Sequence, residues 1–306
     1  MFTALRCEAK NTPTEQLGIV PRAVMALFDR VAKLEGCTIR LSFLQIYNEK
    51  IYDLLNPQIS VAQREQGPQG GRAEEFQGLR LRWDAKNSHF FVENLFQYDC
   101  GSSEEALGHY QQGICNKQVA STAMNVASSR SHTMLLLTLL RREEVTSGTS
   151  GLKTCREVRS QLSLVDLAGS ERSGAAFGAF GTSSKRFQEA VKVNSSLFVL
   201  RRVITQLSRP QVVGHVSHVP YRESKLTSLL QHSLGGNSFL VMFACLAPSE
   251  RQDDENLSTL QYASQAACLK NAPVINLDPK DQHGPAPSQI HLGTIQNSFK
   301  TLFKIL

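Results

Sequence analysis

The chain has 306 residues, with 33 Lys and Arg against 27 Asp and Glu, so its formal net charge is +6. This length is ample for a buried core, and 41% hydrophobic with 20% charged residues excludes a disordered, collagen-like or coiled-coil chain. No window approaches the roughly twenty apolar residues that a membrane-spanning helix needs, so no membrane span is predicted.

The cysteine pattern indicates a reducing compartment. The seven cysteines are odd in number and scattered, and no CxxC pair occurs among them. This argues against a disulfide framework and against a zinc site. The first residues, MFTALRCEAKNTP, lack the apolar core of a signal peptide. We therefore expect a cytosolic or nuclear protein whose positive charge favours acidic partners.

The first part of the chain predicts a helix, a strand and a polar connection. Residues 19–35 have helical apolar spacing, and 38–47 alternate in the manner of a strand. A helical turn or two is predicted for 49–55, ahead of a proline. Residues 58–77 are polar and rich in Gly and Pro, which predicts a surface loop.

Later segments alternate between strand and helix patterns. Ser102 and Glu105 have capping-box spacing and open a helix that is predicted to reach about Gln112. The predicted strands are 79–82, 89–95, 133–140, 160–167 and 239–246, and the predicted helices are 187–207, 222–234 and 254–270. This alternation predicts an α/β fold, a sheet with helices on both faces.

The strand at 160–165 ends in Asp166, and Gly169 follows three residues later. Ligands of α/β folds bind at the carboxyl ends of such strands. A carboxylate there can hold Mg²⁺ through water, and the glycine N–H can point at a terminal phosphate. The same residues also occur as a simple turn or cap, so this motif alone does not define a site.

A second polar motif, NVASSRSH at 125–132, precedes the strand 133–140. Ser128 and Ser129 beside Arg130 offer a Mg²⁺ ligand, a water-orienting group and a cation. Phosphoryl transfer needs such groups, because its catalysis is mostly positioning and charge stabilisation. The alternative is a serine-rich turn whose hydroxyls bind the backbone. His132 taken alone is typical of a packed histidine rather than a catalyst.

NVASSRSH and DLAGSER, in this order and about forty residues apart, resemble switch I and switch II of the kinesin motor domain. Five more segments are similar to kinesin segments in the same order: 18–31, 42–57, 193–208, 218–238 and 258–271. The resemblance implies a kinesin-type P-loop NTPase-like mixed sheet with helices on both faces, in which the first strands are missing. It implies a partial motor domain at 18–275, an irregular start at 1–17 and a flexible tail at 276–306.

The resemblance implies ATP and Mg²⁺ as cofactors and assigns a role to each matching residue. Ser129 would bind or orient Mg²⁺, and Ser128 would help to position the attacking water. Asp166 would hold Mg²⁺ through water, and the Gly169 N–H would sense the γ-phosphate. Asn125 would contribute to the nucleotide-binding site.

Other matching residues would close the nucleotide-binding site or face the microtubule, which is the track of kinesins. Arg130 would pair with Glu171 over the phosphates, and helix 187–207 would be the relay helix. Cationic side chains would face the acidic surface of tubulin. The segment that faces tubulin in kinesins contains Tyr221, Arg222 and Lys225. Microtubules are thus the implied partner, in the cytoplasm or spindle, and nucleic acid is not expected to bind.

The P-loop pattern G-x-x-x-x-G-K-[ST] does not occur in the sequence. Kinesins carry it before the segment equivalent to 18–31, and only seventeen residues precede that segment here. The stretch 148–154 has Gly, Lys and Thr, but Leu152 separates the glycine from the lysine, so a surface connection is predicted. Without the phosphate cradle, hydrolysis by this chain is not expected.

Three functions are open at this point. The first is a microtubule motor domain that couples ATP hydrolysis to movement in its complete form. The second is a non-catalytic microtubule-binding or regulatory module. The third, a GTPase-like enzyme, shares the DxxG motif but does not explain the segments SSRSH and YRESKL.

Overall fold

The computed structural model describes residues 17–56, 78–85, 88–123, 130–146, 153–169, 185–209, 218–249, 252–273 and 300–305. The helices are α1 (Ile19–Val31), α2 (Ser103–Ala123), α3 (Lys185–Ser208), α4 (Lys225–Leu229) and α5 (Asp253–Ala267). The strands are β1 (Cys37–Tyr47), β2 (Lys50–Asp53), β3 (Leu81–Asp84), β4 (His89–Val92), β5 (Tyr98–Cys100), β6 (His132–Thr146), β7 (Lys153–Asp166), β8 (Phe239–Ala244) and β9 (Lys300–Ile305). No helix among these residues is long and apolar enough to cross a membrane.

Seven strands form one mixed sheet in the order β2-β1-β6-β7-β9-β8, and β5 also pairs with β1. The pairs β1–β6 and β6–β7 are antiparallel, whereas β9 runs parallel to both of its neighbours, β7 and β8. Strands β3 and β4 form a separate antiparallel hairpin. The predicted mixed sheet is therefore confirmed.

Helices cover both faces of the sheet, as predicted. Two consecutive residues of β1 show this most simply. Phe43 belongs to the apolar cluster under α1 and α2, and Leu44 belongs to the cluster under α3, α4 and α5. Both side chains are almost fully buried. Side chains alternate along a strand, so one strand supplies both cores.

The helical turn predicted at 49–55 is wrong, because β2 occupies Lys50–Asp53 and pairs with β1. Asn48 and Glu49 lie between these strands with φ of 52° and 57°. Two left-handed residues make the tight hairpin turn whose twist matches that of antiparallel strands. The buried positions alternate at Ile51 and Asp53, which is a strand period that the short apolar run obscured.

The helix start predicted from the spacing of Ser102 and Glu105 is confirmed, although the Glu105 side chain accepts from the residue before Ser102 rather than from Ser102 itself. The Glu105 N–H donates to Ser102 Oγ at 3.2 Å, and Glu105 Oε2 accepts from the Gly101 N–H at 2.8 Å. The helix itself continues to Ala123, well beyond the predicted end. By contrast, the single helix predicted at 222–234 is a 3₁₀ turn followed by the five-residue α4.

Two corrections concern the ends of predicted segments. Strand β9 lies inside the tail 276–306 for which flexibility was predicted, and pairing on both sides stabilises it. Strand β7 begins at Lys153, seven residues before the strand predicted at 160–167, so Lys153 and Thr154 of the predicted surface connection belong to a strand. A P-loop would be followed by a helix, so the strand agrees with the interpretation that this stretch is not a P-loop. The predicted loop at 58–77 lies outside the described residues, and so does the segment 173–184, whose sequence SGAAFGAFGTSS is rich in Gly, Ser and Ala.

Candidate functional site

The ends of β6 and β7 bring the two polar motifs together. Thr133 pairs with Asp166 in the antiparallel register, so the start of β6 and the end of β7 lie side by side. Arg130 is half-buried just before β6, and Asp166 is half-buried at the end of β7. Gly169 follows Asp166 and is buried. The described residues of the two motifs are therefore adjacent, as a shared site requires.

His132 connects these two motifs directly. Its Nδ1 accepts a hydrogen bond from the Ala168 N–H at 3.0 Å, and its Nε2 lies 2.8 Å from the Oγ of Ser196 on α3. Because Nδ1 accepts, the proton of the neutral ring is on Nε2 and is donated to Ser196. Burial, and secondarily the positive charge of Lys117, lowers the pKa of His132 to about 4. The packed histidine predicted from the sequence is confirmed.

Four predicted site residues cannot be placed in this geometry. Asn125, Ser128, Ser129 and Glu171 lie outside the described residues. The Arg130–Glu171 ion pair and the serine contacts to Mg²⁺ therefore stay predictions. Within the described ranges, no group of three or more His, Cys, Asp or Glu side chains is placed to hold a metal ion.

Arg222 lies against the β3–β4 hairpin. Its guanidinium carbon is 5.6 Å from the centroid of the Trp83 ring and 5.9 Å from that of Phe90. The two rings meet edge to face at 4.8 Å. The neighbouring Glu223 forms an ion pair with Arg202 of α3. The segment 221–223 is thus joined to both the hairpin and α3.

Tyr221 and Lys225 form hydrogen bonds with other parts of the fold. The Tyr221 hydroxyl donates to the Leu234 carbonyl at 2.6 Å, and burial raises the pKa of Tyr221. The Lys225 N–H donates to Glu49 Oε2 at 2.9 Å, so a turn residue from the β1–β2 hairpin caps the start of α4. Arg222 is exposed, and the Lys225 side chain is half-buried.

Sequence reasoning missed four residues that shape these sites: Trp83, Phe90, Glu49 and Ser196. Each acts across a long separation in the chain, and periodicity reports only local neighbours. The single tryptophan of the chain, in an alternating strand, is the sequence signal that points to the hairpin.

The comparisons with known proteins agree on one family. The model of the kinesin motor domain matches residues 7–269. Kinesin-like protein klp-20 of Caenorhabditis elegans is 39% identical over 272 residues, 88% of this chain and 37% of that protein. Chromosome-associated kinesin KIF4A of Homo sapiens is 37% identical over 282 residues, 92% of this chain and 20% of that protein. The chain belongs to the kinesin motor domain family.

Solved structures give the same result for the fold. A fast kinesin aligns with a TM-score of 0.66 and 33% identity, covering 89% of this chain and 68% of that one. A KIF14 dimer, solved with AMP-PNP in complex with a microtubule, aligns with a TM-score of 0.69 and 34% identity, covering 86% of this chain and 68% of that one. The chain spans about a third or less of the length of the two curated relatives described above.

Proposed function

We propose that this chain forms the microtubule-binding part of a kinesin motor domain, and that ATP-driven movement belongs to a form that includes a P-loop. The observation that carries the proposal is the His132 contact, which joins the end of switch I to switch II and to α3. The described parts of the kinesin switch region thus contact the helix that the resemblance identifies as the relay. The proposed location is the microtubule cytoskeleton of the cytoplasm or spindle.

The residues near the end of β7 suit a nucleotide with Mg²⁺. Asp166 supplies a carboxylate, the hard oxygen ligand that Mg²⁺ prefers, and one such group suffices where phosphates and water complete the shell. We propose that Asp166 holds Mg²⁺ through water and that the Gly169 N–H faces the γ-phosphate. Ser128, Ser129 and Asn125 would complete the site, and Arg130 with Glu171 would close it. When bound, the Mg²⁺ would neutralise charge on the phosphates.

A second candidate function is a microtubule-binding or regulatory module that does not hydrolyse ATP. The observation in its favour is that the P-loop pattern does not occur in the 306 residues. The backbone amides and lysine of that loop cradle the phosphates in P-loop enzymes. The two candidates share the track-facing surface and differ in their response to nucleotide.

The first experiment is binding of a fluorescent ATP analogue with Mg²⁺, with and without microtubules. Cosedimentation with microtubules is measured in parallel, in ADP and in a non-hydrolysable ATP analogue. Microtubule binding of equal strength in ADP and in the ATP analogue supports the second candidate. Tight, Mg²⁺-dependent nucleotide binding supports a working site in this chain. Absence of cosedimentation in every condition would contradict both candidates.

A charge-reversal pair tests the track-facing surface. Arg222→Glu with Lys225→Glu should weaken cosedimentation at least about tenfold, because attraction to an acidic track becomes repulsion. The control, Arg22→Glu with Lys33→Glu, makes the same charge change at exposed residues on and just after α1, on the other face of the sheet. Equal effects of the two pairs would mean that net charge alone drives binding.

A further inference from the structure

We propose that the space between β7 and β8 is a binding site for an extended peptide strand, and that β9 is the exchangeable ligand that this chain supplies to it. The site, here called the strand slot, is formed by the facing backbone edges of residues 164–166 and of Phe239–Ala244. Its ligand is a short apolar segment that carries lysines, with the chemistry of residues 300–305. This inference goes beyond the proposed function, and its test needs neither nucleotide nor microtubule.

Strand β9 comes from a different part of the chain than the two strands beside it. The match to the kinesin motor domain covers residues 7–269, which include β7 and β8 and exclude residues 300–305. A strand between two strands of the matched region is thus supplied by a segment outside that region. Backbone hydrogen bonds give the affinity in strand addition, and they form whether or not the added strand is covalently attached.

The first wall of the strand slot is held without β9. Strand β7 pairs with β6 along its whole length, from Lys153 to Asp166. Leu164 and Val165 are almost fully buried, and they belong to the two apolar clusters on opposite faces of the sheet. Pairing with β6 and packing in both clusters therefore keep this edge in place when β9 is absent.

The second wall of the strand slot is held at both ends by asparagine side chains. Among the described strands, β8 pairs only with β9. Just before β8, the Asn271 side-chain amide donates to the Ser238 carbonyl at 2.7 Å. Just after β8, Asn256 of α5 forms two hydrogen bonds with the backbone of Ala247, at 2.8 and 2.9 Å. These bonds keep β8 attached to α5 and to the segment after it, so the strand slot persists when β9 leaves.

The register defines what the strand slot recognises. Leu302 is in register with Leu164 on one side and with Val241 on the other. Lys304 is in register with Asp166, the acid at the carboxyl end of β7. An apolar position followed by a cation therefore matches the apolar and acidic positions of β7, and cross-strand pairs of these kinds are favourable. The carboxyl end of a bound strand lies beside the candidate nucleotide site.

The test uses the full chain with Leu302→Pro. Because β9 is paired on both sides, proline there removes a hydrogen bond of the ladder and weakens the chain's own strand. A fluorescent peptide with the sequence KTLFKIL, residues 300–306, is added, and binding is measured by fluorescence anisotropy. We expect the peptide to bind Leu302→Pro at least about tenfold more tightly than the wild type, in which the tethered β9 competes at a high effective concentration.

Control proteins and peptides make the result specific. Ser103→Pro keeps β9 in place, so it should bind KTLFKIL no better than the wild type does. The Leu302→Pro peptide and a peptide of the same composition in scrambled order should bind at least about tenfold more weakly than KTLFKIL, because they lose the ladder or the register. Equal binding of the three peptides, or equal binding of KTLFKIL to the three proteins, would overturn the proposal.

Thermal unfolding gives an independent measure of the same binding. KTLFKIL at a hundredfold excess over its Kd should raise the Tm of Leu302→Pro by at least about 5 °C, because it binds the folded chain only. The wild type, in which the strand slot is filled, should show no such shift. An unchanged Tm of Leu302→Pro would contradict binding to a site of the folded protein.

Photo-crosslinking locates the bound peptide. With benzoylphenylalanine in place of Phe303 in the peptide, the register predicts labelling of Val165 on β7 or of Met242 on β8. Labelling that leaves both strands untouched would place the peptide elsewhere on the protein and overturn the proposal.

A nicked chain covers the case in which Leu302→Pro does not fold. A protease site inserted within residues 284–290, between the described ranges 252–273 and 300–305, lets the wild-type chain fold with β9 in place before it is cut. The labelled peptide should then replace the cut strand, and it should not enter the uncut chain. A cut strand that stays bound and does not exchange with the peptide during a day-long incubation would show that β9 is an integral strand, contrary to the proposal.

Discussion

The guanidinium of Arg222 lies over the ring of Trp83, with 5.6 Å between its central carbon and the ring centroid. This contact connects the 3₁₀ turn ahead of α4 to a hairpin that is more than a hundred residues earlier in the chain. The planar cation stacks on an aromatic face that remains partly exposed, with Trp83 at 38%. The hairpin is thereby held beside the predicted track-facing residues.

The Arg222–Trp83 contact should be measurable as a coupling energy. In a double-mutant cycle of Arg222→Ala and Trp83→Ala, we expect about 0.5–1 kcal/mol of coupling in urea unfolding, as is usual for exposed cation–π pairs. Arg82→Ala, which breaks an exposed ion pair with Glu93 on the same hairpin, is the control. Its effect should add to that of Arg222→Ala without coupling. Additivity of the Arg222 and Trp83 effects would show that the contact does not form.

The buried His132 predicts a specific acid sensitivity. Its folded pKa of about 4 is below the usual 6.5, so the unfolded chain binds the proton more readily. The stabilisation is therefore complete above about pH 6.5 and is lost as the pH falls toward 4. Between pH 8 and pH 5 we expect a loss of about 2 kcal/mol in the free energy of unfolding. Urea unfolding as a function of pH measures it.

His132→Asn is the reference for that pH series. Asparagine does not titrate, so the variant should show a stability curve that is flatter than the wild-type curve over the same range, by the amount given above. The comparison removes the contribution of the other histidines, which are common to both proteins. Parallel curves for the two proteins would show that His132 is not kept neutral by the fold.

Asp53 holds two segments of the chain together. Its Oδ1 accepts from the Leu55 N–H at 2.8 Å, and its Oδ2 accepts from the Phe96 N–H at 2.7 Å. Burial raises the pKa of the carboxyl group, although these N–H groups oppose the shift. Both donors would lose their acceptor in Asp53→Ala, so we expect destabilisation of about 2–4 kcal/mol.

Two comparisons make the Asp53 prediction specific. Asp53→Asn retains one oxygen acceptor, so about half of that loss is expected. Asp99→Ala removes an exposed carboxylate that pairs with Arg40 and should cost less than about 1 kcal/mol. Urea unfolding of the three variants ranks them. An Asp53→Ala protein as stable as Asp99→Ala would be inconsistent with the two buried hydrogen bonds.

Strand β9 should be indispensable to the sheet. Leu302 is in register with Leu164 on one side and Val241 on the other. Proline there lacks a backbone N–H and distorts a central strand, so Leu302→Pro should cost about 3 kcal/mol or more. Ser103→Pro is the control, because it lies at the first position of α2, where proline is tolerated. Equal thermal stability of the two variants would mean that β9 does not pair as described.

The parts of the fold that sequence analysis predicted are those with local periodicity. Helix α1 buries positions at helical spacing, strand β1 begins with alternating buried positions at Ile39 and Leu41, and the Ser102–Glu105 cap is a contact between near neighbours. The segment 49–55 was misassigned because its apolar spacing is ambiguous over so short a run, and the left-handed conformation of Asn48 and Glu49 decides the outcome.

In the candidate site, too, local features were predictable from the sequence and long-range contacts were not. The motifs around Arg130 and Asp166 were recognised from their residue types, and their adjacency is a consequence of antiparallel pairing. The bridge to Ser196, by contrast, depends on the position of α3 against the sheet, which is set by the packing of the whole core. Similarly, nothing local in KTLFKI indicates that it pairs with β7 and β8.

The position of β9 has a consequence for how the protein folds. Both of its neighbours are made earlier during synthesis, and their facing edges expose unpaired backbone groups until residues 300–305 arrive. Parallel pairing across such long separations closes large loops and is slow. During this interval the open edges can recruit strands from other nascent chains. The yield of folded protein should therefore depend on chaperone capacity and on the rate at which residues 300–305 are synthesised and released from the ribosome.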